Sequence, residues 1–300
     1  MRVAFTAKST RAKMLLVALL SLLLCACQAS LFGLVNATSG DAGLHVNRGE
    51  VFDPAHHLAM DIYAPKDAQH LPVVVFLYGG SWQDGKRQWY RWMGETLARQ
   101  GLVVAIPDYR KYPDVHMAGF MSDATLAVGW MHAHAGHYGG DPDTMFLMGH
   151  SAGAQIAALL ATDGRWLARV GMQPSRLAGF IGVAGPYDFL PLTDPAFIGM
   201  FGATADAQAQ SQPVNFVDGD EPPMLLLQGT SDHYVSLKNT RSMARHLRQQ
   251  SEPVAVRLYS GIGHIRLLLS FSSPLRHSSS ALHDTLTFIH AHAGQTGETP

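Results

Sequence analysis

An alternation along the chain limits most strongly what it can fold into. Short runs rich in Val, Ile and Leu lie at Val73–Tyr78, Val103–Ile106, Thr144–Met148, Phe180–Val183, Met224–Leu227 and Val254–Tyr259. Longer amphipathic stretches separate them, at Trp89–Gln100, Phe120–Ala135, Ala152–Thr162, Lys238–Gln250 and Leu275–His292. Short aliphatic runs suit strands buried on both faces, and strands that alternate with helices pair in parallel. The pattern predicts an α/β fold with a mostly parallel central sheet and helices on both faces. Two earlier runs, near Val46–Phe52 and Leu58–Tyr63, are expected to be antiparallel leading strands, giving about eight strands in all. Three hundred residues with 47% hydrophobic and 15% charged content can bury one core of that size. The segment from Asp188 to Asp220, with its Ala, Gln and Pro content, lacks this regularity and is expected to form a cap or lid.

Chemistry enters at Gly149-His150-Ser151-Ala152-Gly153, which follows the run Thr144–Met148 and opens the stretch Ala152–Thr162. A serine on a sharp strand-to-helix turn needs small residues on either side, because its backbone is strained and the flanking strand and helix come close. The serine hydroxyl also needs a base, and the base an orienting acid. Asp232 follows the run Met224–Leu227 and His264 follows Val254–Tyr259, so both are expected at the sheet edge where open α/β folds bind ligands. The order Ser151, Asp232, His264 is that of a nucleophile-elbow hydrolase. Gly80 and Ser81, in the Tyr78-Gly79-Gly80-Ser81-Trp82 segment after Val73–Leu77, are expected to lend N–H groups to an oxyanion hole together with Ala152. His233 is too close in sequence to Asp232 to be its partner, and His150 is expected to face away from the nucleophile. Trp82 and Tyr187 are expected to line the substrate pocket.

These residues resemble the esterase branch of the α/β-hydrolases marked by a His-Gly-Gly-x-Trp segment, which includes kynurenine formamidases, isoprenylcysteine methylesterases and feruloyl or acetylxylan esterase-like proteins. Gly79, Gly80 and Trp82 match that segment, Asp108-Tyr109-Arg110 matches its Asp-Tyr-Arg, and Gly185-Pro186-Tyr187-Asp188 its Gly-Pro-Tyr-Asp. Tyr78 stands where the family usually has His. The resemblance implies an α/β-hydrolase domain over 48–293 that cleaves small-molecule carboxylic esters through a Ser-His-Asp acyl-enzyme, without cofactor or metal. Formamide or amide hydrolysis on the same triad remains an alternative, as does a non-catalytic envelope binding protein of the same fold.

The N-terminus carries a different signal. Arg2, Lys8, Arg11 and Lys13 precede the apolar stretch Met14–Leu24, too short to span a bilayer but suited to the core of an export signal. Leu24-Cys25-Ala26-Cys27 resembles the bacterial lipobox, whose last cysteine is lipidated. The expectation is a signal peptide over 1–27, lipidation at Cys27, a flexible tether over 28–47, a disordered tail over 294–300, and a protein exported to the bacterial envelope and held at a membrane by its lipid; a secreted or periplasmic protein is the alternative. Both cysteines lie in the signal, so no disulfide is expected in the mature domain. Without the four basic residues of the signal, 18 basic side chains face 23 acidic ones, a charge near −5 that offers nucleic acid no basic field. His132, His134 and His137 are similar to the His-x-His-x-Asp-His metal motif, but Gly136 replaces the aspartate, and a histidine-bearing helix end is expected instead.

Overall fold

The computed structural model describes residues 30–294. The signal over 1–27, Cys27 and residues 295–300 of the tail lie outside them. Among the described residues there are eight strands, β1 (Leu44–Asp53), β2 (Leu58–Pro65), β3 (Leu71–Leu77), β4 (Val103–Pro107), β5 (Gly140–His150), β6 (Gly179–Val183), β7 (Met224–Gly229) and β8 (Val254–Tyr259). They form one sheet in the order β1-β2-β4-β3-β5-β6-β7-β8. The pairs β1–β2 and β2–β4 are antiparallel, and all pairs from β4 across to β8 are parallel. Every run expected as a strand is one. All residues of β4, β6 and β7 are buried, so the sheet is covered on both faces, which explains why these strands read as unbroken apolar runs.

The helices are α1 (30–37), α2 (Arg91–Ala98), α3 (Met117–His134), α4 (Ala152–Thr162), α5 (Gly164–Leu167), α6 (Pro195–Phe201), α7 (Ala205–Ala209), α8 (Leu237–Gln249), α9 (His264–Leu269) and α10 (Ala281–His292). The alanine-rich α4 is buried along all of its residues. From β3 the chain passes to β4 on one side, whereas β5 pairs with β3 on the other. The carboxyl ends of β3 and β5 therefore meet at a topological switch point, in register as Leu77 opposite Gly149. The loop after β3 and the turn after β5 are side by side for that reason.

Several boundaries differ from expectation. The tether over 28–47 is corrected: residues 30–37 are helical, and β1 already begins at Leu44. Phe32 and Val35 are buried, with the Phe32 ring 4.9 Å from that of Tyr90 and 6.1 Å from that of Trp89. The polar residues of the stretch masked two apolar ones that the core takes up. The region 188–220 holds two short helices, each with a side-chain N-cap, Asp194 accepting from the Ala196 amide and Thr204 from the Ala207 amide. The stretch Leu275–His292 is helical only from Ala281, preceded by a 3₁₀ turn at Arg276–Ser278. His132 and His134 end α3, where the His134 ring stacks 4.0 Å from that of Trp130.

Candidate active site

Ser151 sits between β5 and α4 with φ 54° and ψ −124°, a conformation that a side chain adopts only under constraint. The constraint is visible in the neighbours. A Cβ on Gly153 would overlap the carbonyl oxygens of Leu77 and Tyr78, and one on Gly149 would overlap the Gly153 carbonyl. The two glycines are therefore what lets strand, turn and helix pack this closely. The Ser151 amide is tied to the Val183 carbonyl at 2.9 Å on β6, which fixes the turn against the sheet. The first amides of α4, Ala152 among them, have no carbonyl within the helix to bind and present partial positive charge beside the serine.

His264 opens α9, one loop beyond β8, and its Nδ1 lies 2.7 Å from Oδ2 of Asp232 in the loop after β7. Both side chains are almost wholly shielded, 6% and 1% exposed. Burial alone would raise the Asp232 pKa. The His264 hydrogen bond and the amides of Val235 and Tyr234, donating to Oδ1 at 2.9 Å each, outweigh it and hold the carboxyl below its ordinary range. Gln228 adds a donor to Oδ2 at 2.9 Å and is itself held through the Thr240 hydroxyl. The carboxylate is thus ionised and fixed, and it leaves Nε2 of His264 as the ring nitrogen open to the cavity.

The segment 79–82 carries three successive residues at positive φ, Gly80 at 139°, Ser81 at 52° and Trp82 at 59°. Gly80 accepts from the amides of Gln83 and Asp84 at 3.0 and 2.9 Å, and a Cβ there would overlap the Asp84 carbonyl. A Cβ on Gly79 would stand 3.0 Å from that of Ser151, so this loop passes directly beside the serine. Tyr78 anchors it from below. Its hydroxyl donates to Asp108 Oδ1 at 2.7 Å and accepts from Lys111 Nζ at 3.0 Å, while Tyr109 donates to the Tyr78 carbonyl at 2.8 Å. Burial, with the Asp108 charge beside it, pushes the Tyr78 phenol well up, so it stays neutral and able to donate. Arg87 pairs with both Asp61 and Asp108 and ties the network to β2.

Ser151, His150, His264 and the 79–82 loop line one cavity of about 420 Å³. Most of its remaining wall is apolar or aromatic: Phe32, Trp82, Trp89, Tyr90, Phe189, Phe197, Tyr234 and Ile265. Trp82 is in the wall as expected, with Nε1 donating to Gln155 Oε1 at 2.9 Å, and Phe189 and Phe197 come from the 188–220 region. Tyr187 is corrected: its ring is fully buried beneath the site, where a Cβ on Gly182 would overlap its hydroxyl, and only its neighbour Pro186 reaches the cavity. The backbone fold there, with the amides of Tyr187 and Asp188 both donating to Asn239 Oδ1, turns the ring inward. His150 is also corrected, because it faces the cavity and its ring lies 4.7 Å from that of His264. Phe32, Trp89, Tyr90 and Tyr234 carry no motif, and only their aromatic character could have drawn attention to them. His233 is exposed and outside the cavity wall. Among the described residues no group of three His, Cys, Asp or Glu side chains could hold a metal.

The BD-FAE family model matches residues 60–247, from β2 through α8. The chain belongs to the BD-FAE family. The resemblance carried by Gly79, Gly80, Trp82 and the Asp108 and Gly185 segments therefore holds. This BD-FAE chain is 28% identical over 255 residues to the probable isoprenylcysteine alpha-carbonyl methylesterase ICMEL1 of Arabidopsis thaliana, covering 77% of the chain and 53% of that protein. It is 30% identical over 271 residues to the probable carboxylic ester hydrolase LipM of Mycobacterium tuberculosis, covering 83% of the chain and 62% of that protein. The chain thus spans a little more than half the length of these relatives. In fold it is similar to a phosphonate-inhibited esterase B from Lactobacillus rhamnosis, with a TM-score of 0.78, 21% identity and 95% and 96% coverage of the two chains. Both chains share the α/β-hydrolase architecture.

Proposed function

We propose that this chain is a serine esterase that hydrolyses carboxylic esters of small molecules. The observation that carries the reading is the shielded His264–Asp232 pair at 2.7 Å in the cavity that also holds Ser151 on its strained turn. Asp232 holds Nδ1, so Nε2 takes the Ser151 proton as the hydroxyl attacks the ester carbonyl. The oxyanion that forms is met by the amide of Ala152 and by those of Gly80 and Ser81. His264 then gives its proton to the leaving alcohol, and a water, activated by the same imidazole, releases the acid and regenerates the serine. The esterase names of the relatives described above support ester over amide bonds.

The test is fluorophosphonate labelling with short-chain aryl esters and N-formylkynurenine as competing substrates. Ser151 is expected to label, and Ser151→Ala to lose ester turnover while keeping its fold. Undiminished hydrolysis by that variant refutes the reading, and faster turnover of the formamide than of every ester replaces it. Export and anchorage at Cys27 belong to the same proposal and rest on the basic start, the apolar stretch Met14–Leu24 and the lipobox-like Leu24–Cys27. Cys27→Ser is expected to move the protein from the membrane to the soluble fraction; a variant that still partitions wholly with membranes rules the anchor out.

A further inference from the structure

Phe32 stands outside the span that the family model matches and reaches the site from the opposite end of the chain. It is 3% exposed, lines the cavity, and packs on Tyr90, whose hydroxyl in turn donates to the Gly79 carbonyl at 3.4 Å beside the serine. A single ring, that of Tyr90, therefore separates Phe32 from the loop that meets the reacting carbonyl. The helix that carries Phe32 is locked in place. Asn36 Oδ1 accepts from the Trp92 amide at 3.0 Å and caps α2, which has no side-chain cap of its own, and Asn36 Nδ2 donates to the Gln88 carbonyl at 2.9 Å. Arg91 closes the clamp by donating to the Asn36 carbonyl at 2.7 Å. The cap thus joins α1 to the start of α2, directly after Trp89 and Tyr90, which line the cavity.

We infer that α1 is the end wall of the subsite for the acyl group of the ester, and that Phe32 sets the length of acyl chain it accepts. The inference rests on the esterase reading only in taking the cavity to hold the acyl group. The rings beside Phe32 are those of Trp89 and Tyr90, and no Asp, Glu, Lys or Arg lines the cavity, so the fitting ligand is a short aliphatic or aromatic acyl group rather than a charged one. On the same helix Leu34 is 68% exposed and points away from this wall, which makes it a control in the same element.

Binding of butyrate, hexanoate, octanoate and decanoate to the full chain, measured by titration calorimetry, tests this without requiring turnover. Each methylene that enters apolar surroundings raises affinity about fourfold, and the rise stops where the chain meets the wall. Phe32→Ala is expected to move that stop outward and raise the octanoate-to-butyrate affinity ratio by about tenfold or more. Phe32→Trp is expected to lower the ratio, and Leu34→Ala to leave it within about twofold. Equal ratios in the wild type, Phe32→Ala and Phe32→Trp overturn the inference. Should Phe32→Ala fail to fold, the Trp variant still decides the sign. A ratio that follows Phe32 in a protein that turns over no ester upholds the wall and refutes the esterase reading; ester turnover with a ratio that ignores Phe32 does the reverse.

Discussion

Replacing Tyr78 by Phe removes one oxygen atom and tests whether the loop beside Ser151 is held by chemistry or by packing alone. The ring keeps its place between Tyr90 and Tyr109, 5.3 and 4.9 Å away, so the substitution is selective for the hydroxyl. A hydrogen bond to a charged group contributes about 1.5–3 kcal/mol. Asp108 keeps Arg87, and Lys111 keeps the Tyr109 carbonyl at 2.8 Å, so the loss falls at the lower end, near 2 kcal/mol. For a domain of this size that lowers Tm by about 4–8 °C. The effect on rate follows from geometry. Gly80 and Ser81 stay present but are less firmly placed, so kcat is expected to fall about tenfold, less than the 10²–10³ of an outright lost donor, with KM within about twofold. The rate of phosphonylation by a fluorophosphonate should fall in parallel, because its phosphoryl oxygen uses the same donors. Thermal melts, ester kinetics and labelling rates on one preparation give the three numbers. A lowered Tm with unchanged kcat and labelling refutes the positioning role of Tyr78 and leaves it a purely structural residue.

Other perturbations follow from the same contacts. Asp232→Asn should keep the fold but cost about 10⁴ in kcat, since the imidazole loses its tautomer and its counter-charge; ester kinetics beside circular dichroism check both parts. Tyr187→Phe should leave kinetics unchanged within twofold and stability the same or slightly higher, because the buried hydroxyl has no partner among the described residues. Burial and the neighbouring His264 push the pKa of His150 well below its ordinary value, so the unfolded chain takes up a proton that the folded chain refuses. Its contribution to stability is complete above about pH 6.5 and is lost as the pH falls below it, by up to about 1.4 kcal/mol per unit. His150→Leu should therefore flatten the fall of Tm between pH 7 and 5, and an equally steep fall in the variant refutes the assignment. In contrast, Asp232, held below its ordinary value, keeps its contribution until the pH drops through the acid range.

The middle of the sheet was legible because burial on both faces forces apolar runs such as those of β4, β6 and β7, whereas β1 is only partly buried and carries His45, Asn47, Arg48 and Glu50 among its apolar residues. The residues proposed to react were legible for a related reason. Ser151, Asp232 and His264 all sit just past the ends of β5, β7 and β8, so locating a strand located the residue that follows it. Gly149 and Gly153 could be read because the turn they serve is local, and the carbonyls that exclude a Cβ lie in elements the motif itself implies. Less was visible of α9, whose start at His264 has only Gly263 before it and no side-chain cap. The helices of the 188–220 region announced themselves only through Asp194-Pro195 and Thr204, signals that a search for long periodic stretches passes over.

The pocket wall obeys a different rule. Its side chains come from α1, the turn before α2, the 188–220 region, the loop after β7 and α9, which no spacing connects. What brings Phe32 to Tyr90 is the Asn36 cap on a helix some fifty residues away, a long-range bond with no local signature. Tyr187 shows the converse, since a residue inside a family motif turned into the core because Asn239 holds its backbone from α8. Residue type and strand order thus point to the proposed reaction, whereas the shape of the cavity depends on tertiary clamps between remote segments. On the proposed function, changes at Phe32 or Asn36 are therefore expected to alter which ester is accepted while the Ser151 turn and the His264–Asp232 pair stay as they are.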